Sequence, residues 1–287
     1  MHAESTIDQE LAGLDRLESV VEERESRWLR LWHATWPKIA AVLVVVGIWQ
    51  WAVWREWKPI YVLPSPRMVW DRLWADLGTA ELWEAIFTTM QRALIGYGLA
   101  VLIGGAIGLA VTASRHLRTA IGALITGLQT MPSIAWFPLA ILLMGLTEKA
   151  IMFVVVLGAA PSIANGVIHG IDSSPPLLRR LAGSMQANRR ELYRDFLVPA
   201  AMPSVVAGLK QGWAFAWRSL MAGELLVLIP GTQSVGGRLQ FAREFQDSEG
   251  VMSMMVVILV LGILMDALVF SRIERRVLRK RGLGAHR

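Results

Sequence analysis

Two charged side chains, Arg218 and Glu224, lie deep within a long apolar run of the sequence. A guanidinium in apolar surroundings can attract an anion, or it can form an ion pair with a carboxylate on another helix, and the sequence leaves both interpretations open. Because six residues separate Arg218 from Glu224, the two lie on different faces of one helix, and we do not expect them to pair. Trp217 stands next to the arginine and could offer an apolar surface beside the charge.

Two further charges, Arg92 and Asp266, lie nearer to the ends of apolar runs. For Arg92 we expect a long side chain that extends to the membrane interface, which would give it a structural role. For Asp266 we expect an ion pair with a nearby basic residue.

The polar segment 173–203 separates two apolar runs and concentrates positive charge. It carries five arginines among leucine and aromatic residues: Arg179, Arg180, Arg189, Arg190 and Arg194. Each charge would cost about 2.5–3.5 kcal/mol at the centre of a membrane span, so this segment must lie in water between two spans. We therefore predict that residues 173–203 form a docking loop on the cytoplasmic surface.

Catalytic and metal-binding patterns are absent from the sequence. It has no Cys, and its five His residues are scattered without a carboxylate–histidine cluster. It also lacks the G-x-x-x-x-G-K-[ST] phosphate-binding motif, so the chain is not itself an ATPase of that kind. The formal net charge of +6 would allow nucleic-acid binding, but basic residues at the ends of apolar runs usually record membrane orientation. We therefore expect neither an enzyme nor a nucleic-acid-binding protein.

The elements that must position these residues are membrane spans. Hydrophobic residues make up 54% of the 287, and the apolar runs approach the length of about 20 helical residues that a bilayer requires. The sequence thus predicts an all-α, polytopic membrane protein with about six spans, at residues 37–54, 86–113, 121–145, 150–171, 205–229 and 251–271. Basic residues beside these spans are more numerous on the side of segment 173–203, which places both termini in the cytoplasm.

This pattern divides the chain into a cytoplasmic tail at 1–36, a transmembrane domain at 37–271 and a basic cytoplasmic tail at 272–287. Apolar residues such as Ile7, Leu11 and Leu14 recur in the first tail at spacings near three and four. Such a spacing fits an amphipathic helix on the membrane or on a partner, and a solvated tail remains the alternative. After the first span, the sequence LPSP at 63–66 opens a short helix that we expect to lie flat on the outer surface.

Prolines and small residues mark special positions within the spans. Pro132 and Pro138 remove backbone donors in the third span, and freed carbonyls at membrane depth are tolerated only beside protein or a water-lined cavity. This region either lines a pathway or forms a packing kink. Gly158, Gly166 and Gly170 recur at intervals that let helices approach closely, within one subunit or at a dimer interface.

Five short motifs in a fixed order resemble one family. They are LPSP at 63–66, MPSIAWFPL at 131–139, LVPAAMP at 197–203, AGEL at 222–225 and IERRVL at 273–278. Each motif is weak alone, but together they make residues 63–283 resemble the permease subunits of the nitrate, sulfonate, taurine and bicarbonate group of ABC importers.

This resemblance implies a type I ABC importer permease fold and an ATP-driven importer whose work is divided among several chains. Two permease copies in the inner membrane of a prokaryote would form the pathway for a small, anionic solute. Two ATPase subunits would bind ATP and Mg, so this chain would need no cofactor of its own, and an extracytoplasmic binding protein would deliver the solute. The alternative is a secondary carrier or channel-like protein independent of ATP, for which an internal repeat and acidic residues near the membrane centre would be expected.

Candidate site residues follow from the two polar regions and the resemblance together. The predicted ATPase-coupling residues are Leu178, Ala182, Ala187, Asn188, Arg189, Leu192, Tyr193 and Pro199. The predicted translocation-pathway residues are Met131, Pro132, Ser133, Trp136, Trp217, Arg218 and Glu224.

The loop departs from the family pattern at two positions. Counting back from Pro199, the family has an acidic residue at 180 and glycine at 186, where this chain has Arg180 and Gln186. Glutamine adopts a left-handed backbone conformation poorly, so we expect Asn188 to take the turn between the two loop helices.

Overall fold

The structure, a computed structural model, describes residues 27–279, which form helices joined by short connections. The predicted amphipathic helix of the first tail falls mainly at residues 1–26, and the end of the basic tail at 280–287; both lie outside the described residues. The helices are α1 (Arg27–Trp54), α2 (Pro66–Leu77), α3 (Ala80–Ala113), α4 (Arg115–Thr130), α5 (Phe137–Met144), α6 (Glu148–Asp172), α7 (Pro176–Ser184), α8 (Arg189–Glu191), α9 (Val198–Leu226), α10 (Val235–Glu244), α11 (Ser248–Met265) and α12 (Ser271–Arg279). A 3₁₀ turn lies at Ser133–Trp136, and π-helical segments lie at Leu192–Leu197 and Asp266–Phe270.

Membrane-spanning potential is concentrated in a few of these helices. Within the described residues, four stretches are long and apolar enough to cross a bilayer: Thr35–Trp54, Ala80–Ala113, Glu148–Asp172 and Ser248–Val277. A fifth results if the bent pair His116–Thr130 and Ser133–Met144 is one broken span. The prediction of an all-α, polytopic membrane protein is thereby confirmed, with four or five spans by this measure where the sequence predicted about six.

The remaining predicted span, 205–229, falls on α9. This helix has 29 residues and is long enough to cross a bilayer at about 1.5 Å per residue. It carries Lys210, Arg218 and Glu224, which lower its hydropathy, and it is not among the four apolar stretches. Its place in the membrane stays a prediction.

The chain divides into two compact units, residues 1–66 and 67–287. In the first unit, none of the most apolar part of α1 is buried, as expected for a helix that faces lipid. The Trp49 indole N–H donates to the Pro64 carbonyl at 3.0 Å and so ties the LPSP turn to this helix.

The core of the second unit lies where α6 packs along α3 and α9. Gly166 of α6 and Gly208 of α9 meet so closely that a Cβ on Gly166 would lie 2.7 Å from the Gly208 Cα. Only glycine fits this contact, because real Cβ atoms do not approach backbone so closely. The predicted close helix packing is thus confirmed within one subunit, and a dimer interface made by these residues stays a prediction.

The predicted irregularity in the third span is a sharp bend of 102° between α4 and the segment that follows. Met131, at the end of α4, is extended at φ −79° and ψ 127°, as expected for a residue that precedes proline. A single 3₁₀ turn follows, and α5 begins at Phe137 with Pro138 in its first turn, where the missing N–H costs nothing.

Candidate functional site

A network of charges, buried except at Glu148, joins three helices at the end of the bundle away from loop 173–203. The Arg92 side chain of α3 meets Glu148, the first residue of α6, and Glu224 near the end of α9. Its Nη1–H donates to Glu224 Oε1 at 3.0 Å and its Nε–H donates to Glu148 Oε2 at 2.9 Å. Arg92 is only 5% exposed, so it does not extend to the membrane interface, but its ion pairs confirm the structural role predicted for it. Carboxylates on two other helices hold it inside the protein.

Glu224 is the most enclosed member of this network, at 1% exposed. It accepts hydrogen bonds from Thr89 Oγ1–H at 2.9 Å and from the Gly236 N–H at 3.0 Å, in addition to Arg92. The Thr89 hydroxyl in turn accepts from the Val235 N–H at 3.0 Å, which fixes the start of α10 against α3. The Glu224 carboxylate is therefore hydrogen-bonded within the protein. A place for Glu224 in a translocation pathway stays a prediction.

Arg218 has quite different surroundings. Its side chain is exposed in the single chain, its Nε–H donates to the Ala214 carbonyl at 3.1 Å, and its guanidinium lies 4.7 Å from the centre of the Phe215 ring. It does not pair with Glu224, as predicted. Arg218 faces a cavity of ≈ 520 Å³. The cavity is lined by Ile134, Trp217, Arg218, Met221, Ala222, Leu225, Leu226, Gln240, Arg243 and Ile258.

The predicted pathway residues are thus only partly brought together. Trp217 and Arg218 share the cavity with Ile134 from the bend, whereas Met131 and Pro132 lie exposed before it and Ser133 is half-buried. Trp136 packs against the main core, and its indole N–H is buried with no hydrogen-bond partner among the described residues. Whether these residues line a pathway stays a prediction.

The other end of the bundle carries loop 173–203. Its first helix, α7, ends at Ser184, and Gln186 then adopts a left-handed conformation at φ +52°. Asn188 is extended at φ −71° and ψ 170°, and it caps α8 in a reciprocal arrangement with Glu191. The expectation that Asn188 takes the turn is wrong: Gln186 turns the chain at the position of the family's glycine, and Asn188 starts the next helix because its side chain accepts the Glu191 N–H.

Hydrogen bonds and apolar packing fix the second half of the loop to the spans. Tyr193 Oη–H donates to the Thr112 carbonyl at 2.9 Å, and Arg189 donates to the Ala113 carbonyl, both at the end of α3. Leu192 and Tyr193 also pack on a cluster formed by Val167, Ile171, Leu197 and Ala201. The π-helical segment runs directly into α9, so the loop and α9 are continuous in backbone structure.

The remaining predicted coupling residues differ in their accessibility. Ala182 is 2% exposed, while Ala187 is half-buried. Leu178 and Pro199 face a groove of ≈ 620 Å³ together with Phe196 and Val277. Their contact with an ATPase stays a prediction.

Sequence reasoning missed several residues of these sites. Thr89 and Glu148 complete the buried network, while Gln240 and Arg243 enter the cavity from α10. No local signal identifies them, because each meets its neighbours only through tertiary packing. Asp266, by contrast, pairs with Lys210 at 3.4 Å, which confirms the predicted ion pair.

Comparison with known proteins finds membrane components of transport systems. Residues 84–279 match the family described as binding-protein-dependent transport system inner membrane component. The chain is 30% identical to the putative aliphatic sulfonates transport permease protein SsuC of Escherichia coli K12, over 77% of this chain and 83% of SsuC. It is 26% identical to the taurine transport system permease protein TauC of the same organism, over 89% of this chain and 95% of TauC.

Two further relatives extend the comparison. The nitrate import permease protein NrtB of Leptolyngbya laminosa is 27% identical, over 81% of this chain and 84% of NrtB. A chain of the inward-facing MetNI methionine ABC transporter superposes with a TM-score of 0.59 at 19% identity, over 69% of this chain and 96% of that one, and shows a shared fold.

The chain therefore belongs to the binding-protein-dependent transport system inner membrane component family. It is the membrane permease subunit of an ABC importer, as the resemblance in the sequence predicted. Such permeases work with separate ATPase and substrate-binding partners.

Proposed function

We propose that two copies of this chain form the pathway of an ATP-driven importer for a small organic or inorganic anion of the sulfonate, taurine or nitrate kind. The relatives named for aliphatic sulfonates, taurine and nitrate support this class of solute. Their organisms support a place in the inner membrane of a prokaryote. Two ATPase subunits bind ATP and Mg, and an extracytoplasmic binding protein delivers the solute.

The observation that carries this proposal is the construction of loop 173–203. The loop presents exposed apolar side chains, such as Leu177 and Met185, beside exposed arginines. Its second half is bonded to α3 and continues into α9. A partner that grips the exposed face can therefore move two long helices at once, which is the requirement for coupling ATP hydrolysis to a change of pathway access.

The same proposal places the loop and both termini in the cytoplasm. The loop must then meet the ATPase on that side, and the buried network of Arg92 and Glu224 lies toward the outer face. Basic residues beside the spans are more numerous on the loop's side, which supports this orientation.

Reconstitution tests the proposal. The permease is co-expressed with its neighbouring ATPase, purified and placed in proteoliposomes with the binding protein, and uptake of labelled butanesulfonate, taurine and nitrate is measured with and without ATP. We expect co-purification with the ATPase and ATP-dependent uptake of at least one of these anions. Uptake driven by an ion gradient without ATP would instead identify a secondary carrier.

A further inference from the structure

Arg218 and Arg243 stand apart from the other arginines of the second unit that lie at the helix ends away from the loop. Arg92 is paired with Glu148 and Glu224, and Arg238, on the same short helix as Arg243, is paired with Asp76 and Glu81. Within residues 27–279, neither Arg218 nor Arg243 makes an ion pair with a carboxylate. Both line one cavity, which they enter from different helices.

An unpaired guanidinium at this depth needs a polar environment. Arg218 lies eight residues before the end of α9, about 12 Å along the helix axis. With α9 placed across the membrane as predicted, an arginine facing lipid there would cost several kcal/mol, so in that placement the cavity opens to water or to another protein surface. Two arginines that line one cavity without a carboxylate make its interior electropositive, and a bound anion offsets this charge.

The other walls of the cavity are apolar. Trp217, Met221, Leu225 and Ile258 supply aromatic and aliphatic surface, and none of the residues that line the cavity is acidic. An ammonium group in this cavity would meet two arginines and no lining carboxylate, so a solute that carries one is disfavoured.

We propose that this cavity binds an organic monoanion that has an oxyanion head and a short alkyl chain, with an alkanesulfonate as the best fit. Arg218 and Arg243 hold the head by charge-assisted hydrogen bonds, and the apolar wall takes the alkyl chain. Inorganic nitrate would leave the apolar wall unused, and zwitterionic taurine would bring its ammonium group into a cavity that holds two arginines and no lining carboxylate. The inference rests on the proposed importer function and selects one class among its solutes.

Direct binding tests this selection without the binding protein, whose own specificity would otherwise dominate uptake. The permease–ATPase complex in lipid nanodiscs is equilibrated by dialysis with labelled butanesulfonate, without nucleotide and after trapping with ATP and vanadate. We expect saturable binding in at least one state. Because a hydrogen bond to a charged group contributes more than a neutral one, Arg218→Gln and Arg243→Gln should each weaken binding by about tenfold or more.

The matched control is Lys149→Gln, which removes one exposed positive charge at the same end of the helices but outside the cavity. It should bind butanesulfonate as the unaltered complex does. Competition should improve from methanesulfonate to butanesulfonate, by about fourfold for each CH₂ group that becomes buried. Propanesulfonate should compete better than taurine, which has nearly the same length.

Three results would overturn the inference: no saturable butanesulfonate binding in either state, wild-type affinity in both arginine variants, or competition by nitrate or taurine as strong as by butanesulfonate. ATP-driven uptake in proteoliposomes separates this failure from that of the proposed function. If uptake persists while any of these results holds, the anion site is wrong and the importer function stands. If the unaltered complex neither binds an ATPase nor imports any anion with ATP, the proposed function itself fails.

Discussion

Two charge clusters at opposite ends of the helix bundle differ in how their charges are satisfied. At one end, Arg92, Glu148 and Glu224 bond to one another across three helices, and the arginine and Glu224 are buried. At the other end, Arg179, Arg180 and Arg190 of the loop are exposed. Charges satisfied within the chain hold helices in place, whereas charges left exposed on an anchored loop are available to a partner. We call the cluster of Arg92, Glu148 and Glu224 the fixed end and loop 173–203 the responsive end, because we expect a partner to move only the loop.

The largest effect should come from breaking the fixed end. Glu224→Ala leaves the buried Arg92 with only Glu148, and removing one partner of a buried pair costs about 3–5 kcal/mol. We expect a large loss of assembled permease and a lower apparent unfolding temperature in detergent. Glu84→Ala, which removes an exposed glutamate from α3, is the control and should be near neutral. The double variant Arg92→Met with Glu224→Leu should recover part of the loss; no recovery would contradict an ion-pair origin.

A substitution in the responsive end should impair coupling to the ATPase and leave the fold intact. Arg189→Glu reverses an exposed charge and removes the bond to Ala113, so the complex should assemble but import per ATP hydrolysed should fall by about tenfold or more. Arg272→Glu, an exposed charge reversal outside the loop, is the control and should keep normal coupling. The measurement is uptake and ATP hydrolysis in the same proteoliposomes. Full solute-stimulated hydrolysis together with normal uptake in Arg189→Glu would refute the assignment.

A smaller test concerns how the fixed end is tied to α10. Thr89→Val keeps the side-chain shape but leaves the buried Val235 N–H without its acceptor, which should cost about 1–3 kcal/mol. Thr88→Val is the matched control, since the Thr88 hydroxyl only donates to the Glu84 carbonyl within the same helix. Apparent unfolding temperatures of the two variants give the comparison. Equal losses would mean that Thr89 contributes only through helix α3.

Length and apolarity predicted the spans on α1, α3, α6 and α11 because a bilayer imposes one strong length requirement. The ion pairs of Arg92 could not be predicted in this way, because its partners Glu148 and Glu224 lie 56 and 132 residues away in sequence. Arg243, the cavity arginine on α10, was missed for the same reason: it meets the rest of the cavity only through tertiary packing. The hydrophobic pattern within one apolar segment is enough to identify a helix. The ion pairs between side chains of distant segments can be identified only from the packed structure.

The smallest effect concerns the turn of the loop, where the sequence pointed to the wrong residue. Gln186 at φ +52° carries a left-handed strain of about 1–2 kcal/mol, which Gln186→Gly relieves at the expense of a more flexible unfolded chain. We expect a net stabilisation below about 1 kcal/mol, seen as a small rise in the apparent unfolding temperature. Gln246→Gly, at φ +57° in a connection outside the loop, should give a similar rise without touching the coupling surface. Asn188→Ala should instead cost about 1 kcal/mol through the lost helix cap. A loss of stability in Gln186→Gly, with no loss in Asn188→Ala, would contradict both the strain at Gln186 and the helix cap at Asn188.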